Sequence, residues 1–228
     1  MIFINPSMFT GDRHIPNLDE KCVKDYEIYK LLAKWEISGL EMSLGKCLLD
    51  NLRSQLEIKT NEDNGEQYYG LKESADEKWG WLINGRSYTS EDLGVSDFQN
   101  LQKYGCGCAP QGCSTHIWEG FVTTTTLLIE GVETTFQESF LADYVYYNWS
   151  FFNESRTTGV GQQVPKSKNS SFVTNKPERT EAFNSFWAKV KKCSFGGRVG
   201  LHGFLKEHTE LFQDFQENHF NAINLWDV

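Results

Sequence analysis

The sequence lacks the long apolar run that a membrane-spanning helix requires, since no window approaches ~18 consecutive apolar residues. It also lacks a surplus of basic side chains: 22 Lys and Arg stand against 31 Asp and Glu, a formal net charge of −9. A general nucleic-acid-binding surface needs the opposite balance. The first residues carry neither the basic start nor the apolar length of a signal peptide. The sequence therefore predicts folding in a cytoplasm, with no membrane partner.

Aromatic side chains, by contrast, make up 14% of the chain, and they are densest in residues 138–153. Two sets of apolar side chains recur there at helical spacing. They are Phe140, Tyr144, Tyr147 and Phe151, and beside them Leu141, Val145, Trp149 and Phe152. A helix that is apolar on two faces is buried on most sides. A strand is the alternative, because these residue types favour sheets, but the run is too long without Gly or Pro. We therefore predict a central buried helix over about 138–153.

The rest of the chain predicts a mainly α fold, a small helical bundle around that central helix. The remaining helical patterns cover about 23–43 and 46–57, joined at Gly45, then 73–83, a helix that starts at 175–178, and 199–215. Strand-like runs alternate with Gly, Asp and Ser between about 87 and 134, which predicts an inserted β-rich region of hairpins and loops. Polar loops are predicted at 60–70 and 157–174. Residues 1–22 predict an extended N-terminal arm on a single domain of residues 23–228, which ends in an apolar tail at 222–228.

Five segments, taken in their order and spacing, resemble one protein family. They are Trp35-Glu36 through Leu40, Leu44-Gly45 and Leu48-Leu49; Trp79 with Leu82-Ile83-Asn84-Gly85 and Tyr88; Trp118-Glu119-Gly120; Leu141 to Tyr147 followed by Thr157-Thr158-Gly159-Val160-Gly161; and Ala182-Phe183-Asn184 with Trp187. The family is the head-to-tail connector, or neck ring, proteins of tailed bacteriophages, in the form found in crAss-like and other Bacteroides phages. The resemblance spans most of residues 24–190.

This resemblance implies a non-enzymatic structural protein of the virion, assembled in the bacterial host cytoplasm. The family forms homo-oligomeric rings, typically of twelve copies, that join the portal and capsid vertex to the tail. Neighbouring portal, neck-ring and tail proteins are the implied partners, and no cofactor is implied. Such a ring lines the channel through which double-stranded DNA passes. An acidic chain suits that wall, because basic side chains would bind the phosphates.

The chain departs from the family at one place: 29 residues separate Tyr88 from Trp118, where relatives have a short turn. This insertion is polar and Gly-rich, and small units of this kind need a staple or a partner surface. A metal is one possible staple, since Cys106, Cys108, Cys113 and His116 could close a tetrahedral Cys₃His zinc site. That site would make the chain a zinc-binding module, or a phage-encoded enzyme or host-takeover factor, which is the alternative to the connector.

Docking on a neighbouring protein is the other way to hold the insertion. Its apolar anchors recur along the segment: Leu93, Phe98, Leu101 and Tyr104. We favour docking, because the spacing of the Cys and His residues is not that of familiar zinc motifs. The sequence thus predicts no metal site, no cofactor and no catalytic residues.

The remaining reactive side chains fit structural roles better than catalysis. Asp143 lies inside the central helix, and a perturbed catalytic acid is the less common interpretation there. We expect its carboxylate to bond a backbone amide or a Tyr hydroxyl, or to point into a subunit interface. His14, His202, His208 and His219 are scattered, without spacing for a metal or a nucleophile. Cys22, Cys47 and Cys193 lie at or near predicted core positions. Contacts with partners are expected to concentrate on 1–20, 155–175 and 215–228.

Overall fold

The fold is known from a computed structural model, which describes residues 2–15, 18, 26–62, 65, 67–94, 115–154, 156–158, 161–163, 176–191 and 197–217. Within these ranges lie six α-helices: α1 Tyr26–Leu44, α2 Lys46–Ser54, α3 Glu77–Asn84, α4 Phe140–Glu154, α5 Lys176–Lys191 and α6 Leu201–Glu207. The strands are β1 Leu56–Thr60, β2 Gln67–Leu71, β3 Arg86–Thr89, β4 Thr115–Trp118, β5 Thr123–Ile129, β6 Val132–Glu138, β7 Arg156–Thr158 and β8 Gly161–Gln163. They form four antiparallel pairs, each of two strands consecutive in the chain. The fold is α-rich but mixed, so the prediction of a mainly α protein is too strong.

The predicted central helix is α4, and it lies against α1 on one side and α5 on the other. Leu141 and Val145 of α4 are fully buried. The helices approach closely: a Cβ at Gly39 of α1 would lie 2.8 Å from the ring of Tyr144. Ser139 sets the start of α4, because its hydroxyl accepts the Leu141 amide at 3.2 Å and donates to the Phe121 carbonyl at 2.7 Å.

The prediction is wrong for the last turn of α4. Phe151 and Phe152 are exposed by 46% and 48%, although their spacing places them on the two apolar faces. Helical spacing gives the direction of a side chain, but it does not tell how completely other parts of the fold cover it. Tyr147 is half-buried, whereas Trp149 is buried as predicted.

Three further predictions are corrected by the structure. The polar loop at 60–70 is the end of a hairpin, because β1 and β2 pair from Leu56 with Leu71 to Thr60 with Gln67. The helix predicted over 199–215 ends at Glu207, and Leu211 beyond it is exposed by 38%. Cys47 is exposed on α2 rather than buried in the core. The first two segments are short, and the spacing of a few apolar residues does not distinguish a helix from a strand or a turn.

The described part of the N-terminal arm is turned and packed on its own domain, so the prediction of an extended arm is wrong there. It forms two single 3-10 turns, Pro6–Met8 and Gly11–Arg13, and buries Phe9 and Ile15. The carboxylate of Glu36 on α1 accepts the backbone amides of residues 2, 3 and 4 at 2.7, 2.6 and 2.9 Å. None of the helices in the described ranges combines the length and apolar character that a membrane crossing requires.

Candidate interaction surface

The β5–β6 hairpin directly precedes α4 in the chain. Its turn is built from Glu130 and Gly131. Both residues have positive φ, 51° and 84°, as a two-residue type I′ turn requires. The strands pair in register from Ile129 with Val132 at the turn to Thr123 with Glu138 at the base. Directly opposed residues share a face of a hairpin, and successive residues along each strand point to opposite faces. The register therefore determines which side chains lie together.

One face of this hairpin is apolar and uncovered. It contains four large apolar side chains, whose exposed fractions are 50%, 45%, 65% and 38% for Leu127, Ile129, Val132 and Phe136 in that order. We call these four residues the apolar hairpin face. The opposite face contains Thr124, Thr126, Glu133, Thr135 and Gln137, with Leu128 exposed by 72% near the turn. A hairpin with this amphipathic pattern resembles a sheet whose covering layer is missing.

Among the described residues, the N-terminal arm contacts the hairpin only near the base of the hairpin. Asn5 donates to the side chain of Gln137 at 3.0 Å, and residues toward the turn are exposed on both faces. An isolated two-stranded hairpin is marginally stable in water. Burial of the apolar hairpin face against a second surface would supply the missing stabilisation. The charges of residues 120–139 are all negative: Glu130, Glu133 and Glu138.

A second exposed apolar surface lies at the far end of α4. The ring of Phe152 makes an edge contact with Trp35 of α1 at 6.0 Å between centroids. The guanidinium of Arg179 on α5 lies 3.8 Å above the ring of Phe151. Lys34, which is exposed, precedes Trp35 on α1. We call Phe151, Phe152, Trp35, Arg179 and Lys34 the aromatic patch. Phe151, Phe152 and Lys34 are exposed, Trp35 is half-buried and Arg179 is buried.

The base of the insertion between β3 and β4 is held by a buried polar cluster. Tyr88 of β3 and His116 of β4 are directly opposed, with ring centroids 5.8 Å apart. Both contact the carboxylate of Glu207 on α6: the Tyr88 hydroxyl donates to it, and His116 Nδ1 lies 3.0 Å from it. The three side chains join α6 to the two strands. The arrangement fixes where the insertion leaves and re-enters the domain.

His116, the one ligand of the candidate zinc site that the structure describes, is thus buried and oriented by Glu207. Cys106, Cys108 and Cys113 lie outside the described residues, as do Phe98, Leu101 and Tyr104 of the docking hypothesis. Leu93 is half-buried against the core. Within the described ranges, no group of three or more His, Cys, Asp or Glu is arranged to hold a metal.

Asp143 is hydrogen-bonded, but its partners are two other side chains rather than the predicted backbone amide or Tyr hydroxyl. It accepts from Arg13 of the arm at 3.0 Å and from Ser185 of α5 at 2.7 Å. These bonds tie the arm and α5 to α4. His14 is exposed, and Cys22, Cys193 and His219 lie outside the described residues.

Two other histidines are buried at the two ends of α6: His202 is in its first turn and His208 directly follows it. His202 bonds through Nε2 to the Ser43 carbonyl at 2.9 Å, and its Nδ1 lies 3.5 Å from Glu217. Burial lowers the pKa of His202 below its usual value, and Ser43 and Glu217 oppose the shift. His208 donates from Nδ1 to the Phe204 carbonyl at 3.0 Å, and burial lowers its pKa too. Both are therefore neutral core residues at neutral pH.

The sequence indicated strands near 121–129 but not that their hairpin is uncovered. The signal was present: apolar residues at 127, 129, 132 and 136 share one face once the Glu-Gly turn fixes the register. Of the segments expected to contact partners, the described part of 1–20 lies on its own domain, and most of 155–175 and 215–228 lies outside the described residues. No protein-family profile, curated protein or solved structure matches this chain.

Proposed function

We propose that this chain is a non-enzymatic structural protein of a tailed-phage virion, which assembles as a homo-oligomeric ring in the neck. The apolar hairpin face carries the proposal, because four large apolar side chains on a projecting hairpin are typical of an interface. The resemblance of the sequence to phage connectors, described above, supplies the biological setting. The ring, of about twelve copies as in that family, joins the portal vertex to the tail.

The described residues carry several different exposed apolar surfaces: the apolar hairpin face, the aromatic patch, and the paired Ile58 and Tyr69 of β1 and β2. Different surfaces on one chain support a ring rather than a symmetric dimer. When one patch on a subunit binds a different patch on the next, the contact is heterologous and can close into a ring. A two-fold dimer needs one self-complementary patch instead. The formal charge of −9 suits a channel wall past which double-stranded DNA moves without specific binding. Portal, neck-ring and tail proteins are the further partners of the proposal, and the bacterial cytoplasm is the place of assembly.

Quantitative mass spectrometry of purified virions tests whether the protein is structural. The proposal expects the chain in the particle at a fixed ratio to the portal protein, near one to one if both form rings of about twelve. A phage-encoded enzyme or host-takeover factor would be abundant in the infected-cell lysate and absent from washed particles. Absence from the particle would contradict the proposal.

A zinc-binding module is the second candidate, and the orientation of His116 favours it. Zinc-bound histidines usually donate their other ring N–H to a carboxylate, as His116 can do to Glu207 through Nδ1. The site would be structural and would staple the insertion through Cys106, Cys108, Cys113 and His116. Elemental analysis of the purified protein decides: about one zinc per chain, lost in Cys108→Ser and kept in Cys47→Ser, supports it. Zinc-free protein of normal stability contradicts it.

A further inference from the structure

The chain that follows α6 lies back against that helix as a short strap, residues 211–217. Two of its aromatic rings contact α6: Phe212 lies 5.9 Å from Phe204, and Phe215 makes an edge contact with His202 at 5.2 Å, both measured between centroids. Phe212 is buried, whereas Phe215 is half-buried. The beginning of the strap is therefore held by apolar packing, and its end lies over a buried histidine.

The hydrogen bond between His202 and α1 determines which ring nitrogen carries the proton. Nε2 of His202 lies 2.9 Å from the backbone carbonyl of Ser43, and a carbonyl can only accept. Nε2 is therefore the donor, and Nδ1 of the neutral ring has a lone pair that can only accept. Nδ1 is buried, and within the described part of the chain it has no hydrogen-bond partner.

A carboxylate at the end of the strap faces this lone pair. Oε1 of Glu217 lies 3.5 Å from Nδ1 of His202, and its Oε2 is bonded to the ammonium of Lys206 at 2.6 Å. An ionised carboxylate can only accept, so two acceptors face each other with no hydrogen between them. An acceptor left unsatisfied in a buried site costs free energy. One proton on Nδ1 would convert the contact into a charge-assisted hydrogen bond.

From this geometry we infer that His202 and Glu217 form a pH-sensitive latch, in which protonation of His202 fastens the end of the strap to α6. The charged ring donates from Nδ1 to Glu217 and still donates from Nε2 to Ser43. When the proton returns to water, the hydrogen bond to Glu217 is lost, and the contacts of Phe215 and Lys206 remain. The latch acts within one chain, so it does not depend on the proposed ring.

The surroundings of His202 determine where the latch closes. Among the described residues, the charges that act on the ring are Glu217 of the strap and Lys206 of α6. The carbonyl described above comes from α1, and α5 contributes the ring of Trp187 at 6.1 Å between centroids. Lys191, at the end of α5, acts on Glu217. Burial lowers the pKa of His202, although Glu217 opposes the shift, so the latch closes below neutral pH.

The latch differs in sign from the effect of His202 on complete unfolding. Complete unfolding exposes the ring to water and restores its ordinary pKa, so acid favours the unfolded chain. Opening of the strap alone removes Glu217 but leaves the ring between α1 and α5. A charged ring then loses its counter-ion while most of its burial remains. Acid should therefore favour the closed strap.

Nuclear magnetic resonance of the full-length chain tests the latch at the ring. The imidazole ¹⁵N shifts at neutral pH should be those of the Nε2–H tautomer. His202 should titrate about one pH unit lower in Glu217→Gln than in the wild type, because the attractive charge is gone and Lys206 remains. Glu210→Gln, at an exposed position just before the strap, is the matched control. The Nδ1–H tautomer, or the same titration in Glu217→Gln and the wild type, would overturn the inference.

Amide hydrogen exchange tests the latch at the strap. The Phe215 amide donates to the Phe212 carbonyl at 3.0 Å, so its protection, corrected for the intrinsic pH dependence of exchange, reports opening of the strap. In the wild type this protection should rise about tenfold as His202 becomes charged, the factor that corresponds to one pH unit of titration. Glu217→Gln should lose most of the rise, because a neutral amide attracts the charged ring far less. Protection that falls or stays constant in the wild type would show that acid does not fasten the strap, and would overturn the inference without bearing on the ring.

Discussion

At the scale of single residues, Glu36 is the side chain that fixes the N-terminal arm. It is 1% exposed, yet it faces three backbone amides rather than a basic side chain among the contacts described above. Burial raises the pKa of Glu36 above its usual value of 4.5, although the three amides and the charge of the N-terminus oppose the shift. The folded protein therefore holds this proton to a higher pH than the unfolded chain does.

Glu36→Gln should lower the free energy of unfolding by about 1–3 kcal/mol near neutral pH, because the new amide group faces a backbone N–H. The substitution should also remove the part of the pH dependence of the unfolding free energy that comes from the titration of Glu36. In the wild type, the contribution of Glu36 is largest below pH 4.5 and declines as pH rises through the raised native pKa. Urea unfolding across this window measures both effects, with the exposed Glu41→Gln on the same helix as control. Equal pH profiles for Glu36→Gln and the wild type would show that Glu36 does not titrate as described.

His202 should give the opposite pH dependence. Its native pKa lies below its usual value of 6.5, so the unfolded chain takes up a proton first as pH falls. The stabilisation is therefore complete above 6.5 and is lost as pH falls through the lowered native pKa. His202→Gln should lose less stability than the wild type between about pH 7.5 and pH 5. His14→Gln, at an exposed position, is the control. The pKa of His208 is lowered too, so His208 still makes every variant lose some stability as pH falls. Thermal unfolding at each pH is the measurement, and a wild-type profile in His202→Gln would count against the assignment.

At the scale of elements, α4 separates what the sequence could predict from what it could not. The aromatic spacing predicted the helix and its burial near Leu141 and Val145, because periodicity follows from the chain itself. The exposure of Phe151 could not be predicted, because it depends on how the rest of the fold is placed around the last turn of α4. The same holds for the uncovered hairpin: its strands were predicted, but the absence of a covering element is a property of the tertiary structure. For the polar cluster, His116 was singled out as a ligand, but Glu207 was not, since it lies 91 residues away in the chain.

The two ends of α4 should therefore respond differently to truncation. Leu141→Ala should lower the free energy of unfolding by about 2–5 kcal/mol, because it leaves a cavity between α1 and α5. Phe151→Ala should cost about 1 kcal/mol or less in the isolated chain, mainly through the loss of the Arg179 contact. Chemical denaturation at a concentration where the chain is monomeric compares the two. A cost at Phe151 as large as that at Leu141 would show that the last turn of α4 is buried after all.

At the scale of the whole molecule, the fold is a helical layer with one acidic, apolar hairpin projecting from it and one aromatic surface at the other end of its central helix. Among the described residues, no group of three or more His, Cys, Asp or Glu is arranged to hold a metal. Among the described residues, the features left without a role inside a single chain are exposed apolar surfaces of more than one kind. This is the physical reason for preferring an assembly protein, while the phage neck as its location comes from the resemblance of the sequence.

A cryo-electron microscopy reconstruction of the virion neck tests the central claim most directly. The account predicts a ring of copies of this chain between the portal and the tail, with the apolar hairpin face of each copy buried against a neighbour. A neck whose rings are all built from other chains, in particles that package DNA and carry tails normally, would contradict it.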